Sequence, residues 1–460
     1  MSVPQGSPVD QNLSDVFAYI EEHRDEYVQR LMEYVSRPSI SAQGIGIAET
    51  SEFLAKLLDG LGMQPRILPT SGWPMVLGQR SDMPDKPTLL LYGHYDVQPP
   101  EPLEEWITPP FEPAIRDGRI YGRGVGDNKG QHLAQILAIE ALLACRGSLP
   151  CNVKLLLEGE EEIGSPRMPE FVEAHRDDLA ADLVVTSDGG IDPSGRPTIV
   201  FGVRGVLSFE LRARGANQDL HSGRFGGVAP NPIWTLVHLL ATMKNPQGDI
   251  TIDGFYDNVR PITDAERAAM DELPIDSGAL MRELDLGHLD APADRGIAER
   301  LMAWPTLTIN GFLGGYTGKG SKTVLPHQAG VKCDIRMVEN QTADEIFARV
   351  QAHVQNHAPN VELIRQGSMD PSRTALESRF AEPIRRAVMQ AQGEAPLLVP
   401  SAGGSLPDYV FTKRLGIPSF VVPYANADEA NHAPNENMEI ERFIKGIRTG
   451  AALIAQIAAL

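Results

Sequence analysis

The sequence predicts an α/β protein: a discontinuous, mostly parallel α/β/α domain interrupted by a smaller α+β domain. Three observations carry that expectation. Short runs apolar on both faces alternate with helical stretches in the first and last parts of the chain. Such runs are strands of a sheet covered on both sides. Between Val206 and about Asp370 the pattern changes to period-two strands with one wet face. Lastly, polar residues suited to metal binding stand at the ends of several apolar runs.

The 460 residues and 42% hydrophobic content suffice for more than one core, which excludes wholesale disorder. With 41 basic against 61 acidic side chains the net charge is −20. That balance argues against nucleic acid or an anionic membrane as the main partner, because both need basic surface. Cys145, Cys151 and Cys333 are too few and too odd a count for a disulfide scaffold, so a reducing, cytoplasmic compartment is expected. The first dozen residues look frayed and lack the pattern of a signal peptide. No apolar run approaches a membrane span.

Taken in order, Leu13, Val16, Phe17 and Ile20, then Val28, Leu31, Met32 and Val35, recur at helical spacing until Pro38 stops them. Strands are expected at Thr88–Tyr92, Val153–Leu157, Leu183–Val185, Ile199–Val203 and Phe420–Val422, with a helix over Gln131–Ala144. In Val206–Arg214 the residues Leu207, Phe209, Leu211 and Ala213 alternate with polar neighbours, a half-wet strand. Asn231 caps a helix that has Pro232 at its first position. Strands follow at Thr306–Gly311, Val331–Val338 and Val361–Arg365, and a capping box at Thr342–Glu345 opens the helix between the last two. The order β-α-β-β-α-β is that of a split βαβ sandwich, interrupted by an insertion from about 249 to 304. The expected division is 1–205 and 373–460 for the first domain, with 206–372 for the second.

Ligands of open α/β sheets bind beyond the carboxyl ends of the strands. Leu89–Leu91 runs through Tyr92 and Gly93 into His94 and Asp96; Leu155–Leu157 runs into Glu158, Glu160, Glu161 and Glu162. Leu183–Val185 leads to Asp188, Val421–Val422 to His432, and Asp127 closes a glycine-rich turn before a helix. One histidine at a strand end is commonly structural, and one acidic run is commonly a solvated turn. Five such placements at corresponding ends point to one mixed imidazole and carboxylate metal site, suited to zinc or manganese. Two divalent cations against Asp127, Glu162 and Asp188 leave one positive charge, which a bound hydroxide neutralises.

The segments Gly93–Asp96, Gly126–Gly130, Glu158–Ser165, Ser187–Asp188 and Asp219–Gly223, with His432, resemble the M20 metallopeptidases. The likeness extends to the carnosinase and cytosolic dipeptidase branch over nearly the whole chain. The resemblance implies a dinuclear catalytic domain with an inserted ferredoxin-like lid that dimerises. It implies two divalent ions per subunit, zinc foremost and manganese as the alternative. By the same resemblance Asp127 bridges the ions, His94 and Asp188 bind one, and Glu162 and His432 bind the other. Glu161 matches the general base, Asp96 the carboxylate that orients His94, and His221 a histidine that reaches the partner subunit's site. Arg336 matches the arginine that holds a substrate carboxylate, and Thr323 and Ser405 match further substrate contacts. The chemistry fits these roles, since two cations make hydroxide available near neutral pH and a neighbouring carboxylate carries the proton to the leaving amine.

The implied activity is hydrolysis of the amide bond of dipeptides or related N-acyl amino acids. One departure matters: the branch has Glu-Gly-Gly-Ser where this chain has Ala402–Gly403–Gly404–Ser405. A missing carboxylate weakens recognition of a free amino group and makes an N-acyl or N-carbamoyl amino acid amidohydrolase the alternative. Nucleotide binding is the alternative of another class. Its two look-alikes fail: Gly314–Thr323 never sets Gly-Lys-Ser/Thr before a helix, and Gly122–Asp127 puts Asp127 where a third glycine belongs.

Overall fold

The computed structural model describes residues 12–289 and 295–460. The start of the chain, read above as frayed, and part of the 249–304 insertion lie outside the described residues. Two compact units emerge. The first comprises residues up to Gly202, Arg373–Pro400 and Val410–Leu460; the second comprises Val203–Ser372 and Ser401–Tyr409.

The first unit is built on an eight-stranded sheet. Its centre is four parallel strands in the order Asn152–Glu158, Thr88–His94, Leu183–Thr186 and Ser419–Val421. Leu89, Leu91, Leu155 and Leu157 belong to the same apolar cluster as Leu133, Ile136 and Leu137 of the helix Lys129–Arg146 and Ile447 and Ile454 of the helix Ile440–Ile457. Leu90, Tyr92, Leu156 and Val184 are equally buried but outside that cluster, and Tyr92 meets Phe411 edge-on at 5.3 Å. Alternate residues therefore bury on opposite faces, which is why these runs read as continuously apolar.

Of the outer strands only the one expected at Ile199–Val203 was legible in the sequence, and the structure divides it into Thr198–Val200 and Gly202–Val203. Met75–Arg80 pairs antiparallel with Asn152–Glu158 and carries Arg66–Leu68 beyond it. On the other side Thr198–Val200 meets Ser419–Val421 antiparallel and is flanked by Leu397–Val399. Arg66–Leu68 and Leu397–Val399 are short, and Arg66 and Ile67 are exposed, so no sustained apolar run marked those two. The first helical pattern breaks at His23 into Ser14–Glu22 and Arg24–Val35.

The second unit carries a four-stranded antiparallel sheet in the order Thr306–Gly314, Gln328–Met337, Gly205–Arg214 and Glu362–Met369. Together with the helices Pro232–Met243 and Ala343–His357 this is the split βαβ order. Leu207, Phe209, Leu211 and Ala213 are buried with Val331, Cys333, Ile335 and Met337 in one core, as their alternation predicts. Asn231 caps its helix by accepting from the Ile233 N–H at 2.9 Å. The capping box read at Thr342 is incomplete. Thr342 accepts from the Glu345 N–H at 3.3 Å, but the Glu345 carboxylate is held by Arg349 at 2.7 Å and Asn258 at 2.9 Å instead of turning back. A full capping box forms at Thr263 and Glu266 inside the insertion. Among the described residues no helix is long and apolar enough to cross a membrane.

Candidate metal centre

Parallel register aligns the strand ends. His94 lies opposite Glu158, and Tyr92 lies opposite Thr186, two residues before Asp188. The loop Gly122–Asn128 brings Asp127 to the same crest immediately before the helix Lys129–Arg146. His432 arrives from the loop after Ser419–Val421 with a left-handed backbone, φ 57°. That conformation costs a non-glycine residue about 1–2 kcal/mol and is tolerated chiefly where the surroundings demand it.

Two triads result, and they share one residue. His94 Nε2 lies 3.0 Å from Asp127 Oδ1 and 3.6 Å from Asp188 Oδ2. His432 Nε2 lies 3.0 Å from Asp127 Oδ2 and 3.1 Å from Glu162 Oε2. In each triad the donor atoms lie within 4.8 Å of one another, a spacing that one cation can gather. Asp127 thus faces one triad with each oxygen. His94 Nε2 is buried and makes no hydrogen bond, despite the carboxylate beside it. A buried imidazole nitrogen without a hydrogen bond, among carboxylates, fits a divalent ion.

The electrostatics point the same way. Burial pushes Glu161 well up; His94 opposes the rise, while Asp188, Glu162 and Asp127 add to it. Burial, reinforced by Asp127, pushes Glu162 up to about 7. Burial also disfavours charge on Asp127, yet His432 and His94 hold it well below the usual carboxylate range. His432 is raised to about 10 by Asp127 and then Glu162. Excess negative charge is concentrated where water is scarce, and cations offset it.

Several side chains hold this arrangement. The Asp96 carboxylate accepts from the N–H groups of Glu161 and Glu162, each at 3.1 Å. Its carbonyl lies 3.1 Å from His94 Nδ1 and its carboxylate 3.5 Å, so one residue sets both the histidine and the acidic turn. Gln98 donates from Nε2 to Glu162 Oε2 at 2.9 Å. Asn128 donates to the Ser187 carbonyl at 2.6 Å and accepts from the His94 N–H at 3.3 Å.

Glu436 escaped the sequence reading altogether. Fully buried, it accepts from Arg123 at 2.8 Å and from the N–H groups of Gly124, Gly126 and Asp127 at 2.8, 2.9 and 3.1 Å. Glu429 lies against Gly126, where any side chain would collide with its carboxylate. Burial, reinforced by Asp127, raises Glu429 to about 9. Neither glutamate stands at the end of an apolar run, so no local signal marked them.

The structure gathers His94, Asp96, Asp127, Glu161, Glu162, Asp188 and His432 in the first unit. In the second unit Arg336 donates from Nη1 to the Ser405 hydroxyl at 3.0 Å, and Ser405 donates to the Arg204 carbonyl at 2.6 Å. His221 is exposed on a short ribbon opposite Val324, and the Ser222 N–H donates to the Thr323 carbonyl at 3.1 Å. Arg336 with Ser405, and His221 with Thr323, are therefore separate groupings within that unit.

Two groups of candidate metal ligands that share Asp127, at the crest of a parallel sheet, suit a metal-dependent hydrolase. Residues 90–456 match Peptidase family M20/M25/M40, and the chain belongs to that family. It is a hydrolytic peptidase that works with divalent metal ions. It is 30% identical to the human Beta-Ala-His dipeptidase over 99% of this chain and 94% of that protein. It is also 30% identical to the Cys-Gly metallodipeptidase dug1 of Schizosaccharomyces pombe over 98% of this chain and 99% of that one. Among solved structures, an M20 family metallo-carboxypeptidase from Sulfolobus solfataricus superposes with a TM-score of 0.89 at 37% identity, covering 95% of this chain and all of that one.

Two predictions follow from the geometry. His432→Ala is expected to retain fewer than two metals per chain and to lose activity, as metal analysis beside turnover will show. Retention of two metals would remove His432 from the ligands. Glu436→Gln is expected to weaken metal retention by about 10–100-fold, because the loop that presents Asp127 loses its anchor. The measurement is titration against a competing chelator. Unchanged affinity would reduce Glu436 to a purely architectural role.

Proposed function

We propose that this chain hydrolyses the amide bond preceding a carboxyl-terminal residue in dipeptides or N-acyl amino acids. The observation that carries the reading is the pair of triads sharing Asp127, with Glu161 beside them. His94 and Asp188 would hold one ion, Glu162 and His432 the other, and Asp127 both. Zinc suits this donor set first, with manganese as the alternative. When bound, the ions lower the pKa of water and polarise the scissile carbonyl.

The remaining work falls to the chain. Glu161 takes the proton of the attacking water and hands it to the departing amine, a task suited to a carboxylate whose surroundings raise its proton affinity. Asp96 positions the Glu161 and Glu162 backbone and the His94 ring during that exchange. Arg336, steadied by Ser405, would hold the carboxylate of the leaving residue through a charge-assisted pair. Thr323 would assist in substrate binding. The second unit serves as the lid of a homodimer, and His221 completes the partner's site by stabilising the developing oxyanion. Three free thiols support a cytoplasmic setting, and the net charge of −20 disfavours nucleic acid and anionic membrane as partners.

Ala402 favours a second reading of specificity. Without a carboxylate there, the amino side of the substrate can be acylated, carbamoylated or extended. The likeness to a metallo-carboxypeptidase supports this latitude.

Glu161→Gln is expected to keep both metals while turnover falls on the order of 10²–10⁴-fold. Full activity in that variant would remove Glu161 from the reaction. Arg336→Ala should impair free-acid substrates far more than the corresponding amides, because only the acids lose a charge-assisted pair. Equal losses would return Arg336 to a structural role. In the same screen, substrates with a blocked amino end should be accepted at least comparably with free dipeptides, and strict rejection would sink the Ala402 inference.

The dimer is tested by reassortment. His221→Ala and Glu161→Gln homodimers should each be nearly inactive. In a mixed dimer one site has both residues intact and the other has neither. Random exchange makes half the dimers mixed, so about a quarter of wild-type activity should return under twofold pairing. No recovery despite proven exchange would mean that His221 serves its own subunit or plays no part.

A further inference from the structure

The second unit contains a cavity of about 310 Å³, at the lower end of the range for small-molecule sites. Among the described residues its charged lining is cationic: Arg204, Lys244, Arg300 and Arg295, the last paired with Glu299 at 3.7 Å. In a chain of net charge −20 this is a pronounced local reversal. Trp304 and Leu301 contribute apolar wall. The Arg295 guanidinium lies 3.5 Å over the Trp304 ring, and Tyr256 stacks on that ring at 5.0 Å. The aromatic wall is therefore ordered before any ligand arrives.

Two guanidinium groups are each anchored along one edge and unsatisfied at the other. Arg204 donates from Nε and Nη2 to the Gly403 carbonyl at 3.3 and 3.2 Å. Arg300 donates from Nε and Nη2 to the Arg295 carbonyl at 3.1 and 2.9 Å. Arg204 Nη1 and Arg300 Nη1 are both buried and make no hydrogen bond. Buried donors without acceptors are costly, and charged ones more so. Arg204 itself is 8% exposed. Burial, with Arg336 nearby, disfavours its charge. An anion entering the cavity would relieve both groups at once.

We propose that this cavity binds a small organic anion with an apolar body. Arg204 and Arg300 take the carboxylate or phosphate, and Trp304 and Leu301 hold the apolar part. The cavity adjoins Arg336, because Thr306 in its lining lies directly opposite Arg336 in the sheet. The anion is therefore a ligand beside, and distinct from, the carboxylate that Arg336 would hold. Only that relation to Arg336 rests on the hydrolase reading, and the site itself does not.

The test is calorimetry on the metal-loaded protein with 4-phenylbutyrate, phenyl phosphate and the neutral 4-phenylbutanol. At least one anion should bind more tightly than the alcohol. Arg300→Gln should weaken that anion about tenfold or more while moving the alcohol less than twofold. Trp304→Ala should weaken both. Because a carboxylate can also reach the metal ions, the response to Arg300→Gln decides the location. Anion affinity unchanged in a folded Arg300→Gln variant, or no preference for either anion over the alcohol, overturns the proposal. Should Arg300→Gln fail to fold, Arg300→Lys keeps the charge but loses the fork. It should then weaken the anion without abolishing binding, and an unchanged affinity again overturns the proposal. Anion binding that Arg300→Gln weakens and that does not compete with a dipeptide substrate is expected. Competitive inhibition that Arg300→Gln leaves unchanged places the anion at the metal ions or Arg336 and overturns the proposal.

Discussion

Mutual repulsion among buried carboxylates is the constraint around which the first unit is organised. Asp127, Glu161, Glu162 and Asp188 converge where parallel strands end and water is scarce. Two histidines temper the repulsion, but Glu161 and Glu162 still sit above their usual range. Divalent cations, or protons in their absence, would balance the remaining charge of such a cluster. The two-sided burial of the central strands has a purpose in this light. A rigid, dry sheet keeps the crest from relaxing toward solvent, where the charges would disperse and the affinity for cations would fall.

Holding like charges together requires a frame, and the frame is made of backbone donors. Asp96 draws the N–H groups of Glu161 and Glu162 around one carboxylate, and Glu436 does the same for Gly124, Gly126 and Asp127. Each anion sits behind the segment that presents a ligand, so the turn is fixed before a metal binds. The arrangement is economical: an acidic residue that would add repulsion at the centre instead satisfies amides one layer back. Arg123 offsets part of the charge of Glu436 at 2.8 Å, while burial and Asp127 still raise that carboxyl.

The second unit solves a different problem. Its antiparallel sheet buries one face and leaves the other wet, so polar groups such as Arg336 can stand on it without a buried charge. Ser405 returns from a distant part of the sequence to meet that arginine. The insertion adds Trp304 and Arg300, which turn part of the unit from a plain scaffold into a lined cavity.

What the sequence determined by itself was periodicity and punctuation. Apolar runs at Thr88–Tyr92 and Val153–Leu157, alternation in Val206–Arg214, and chemically loaded residues at run ends are local properties, so they were legible without coordinates. The α/β class, the split βαβ order and the candidates His94, Asp127, Asp188, His432 and the acidic run at 158–162 came from such signals, while the roles of Glu161 and Glu162 within that run came from the M20 resemblance. Tertiary structure alone decided the rest. Edge strands such as Arg66–Leu68 are half exposed and carry no sustained pattern. Glu345 turned outward because Arg349 and Asn258 compete for it, which no local motif reveals. Glu436 grips a loop some three hundred residues away, and Arg204 and Arg300 line one cavity although only Arg300 belongs to the insertion. A residue's partner across the fold is set by how the elements pack, and linear spacing carries no record of that.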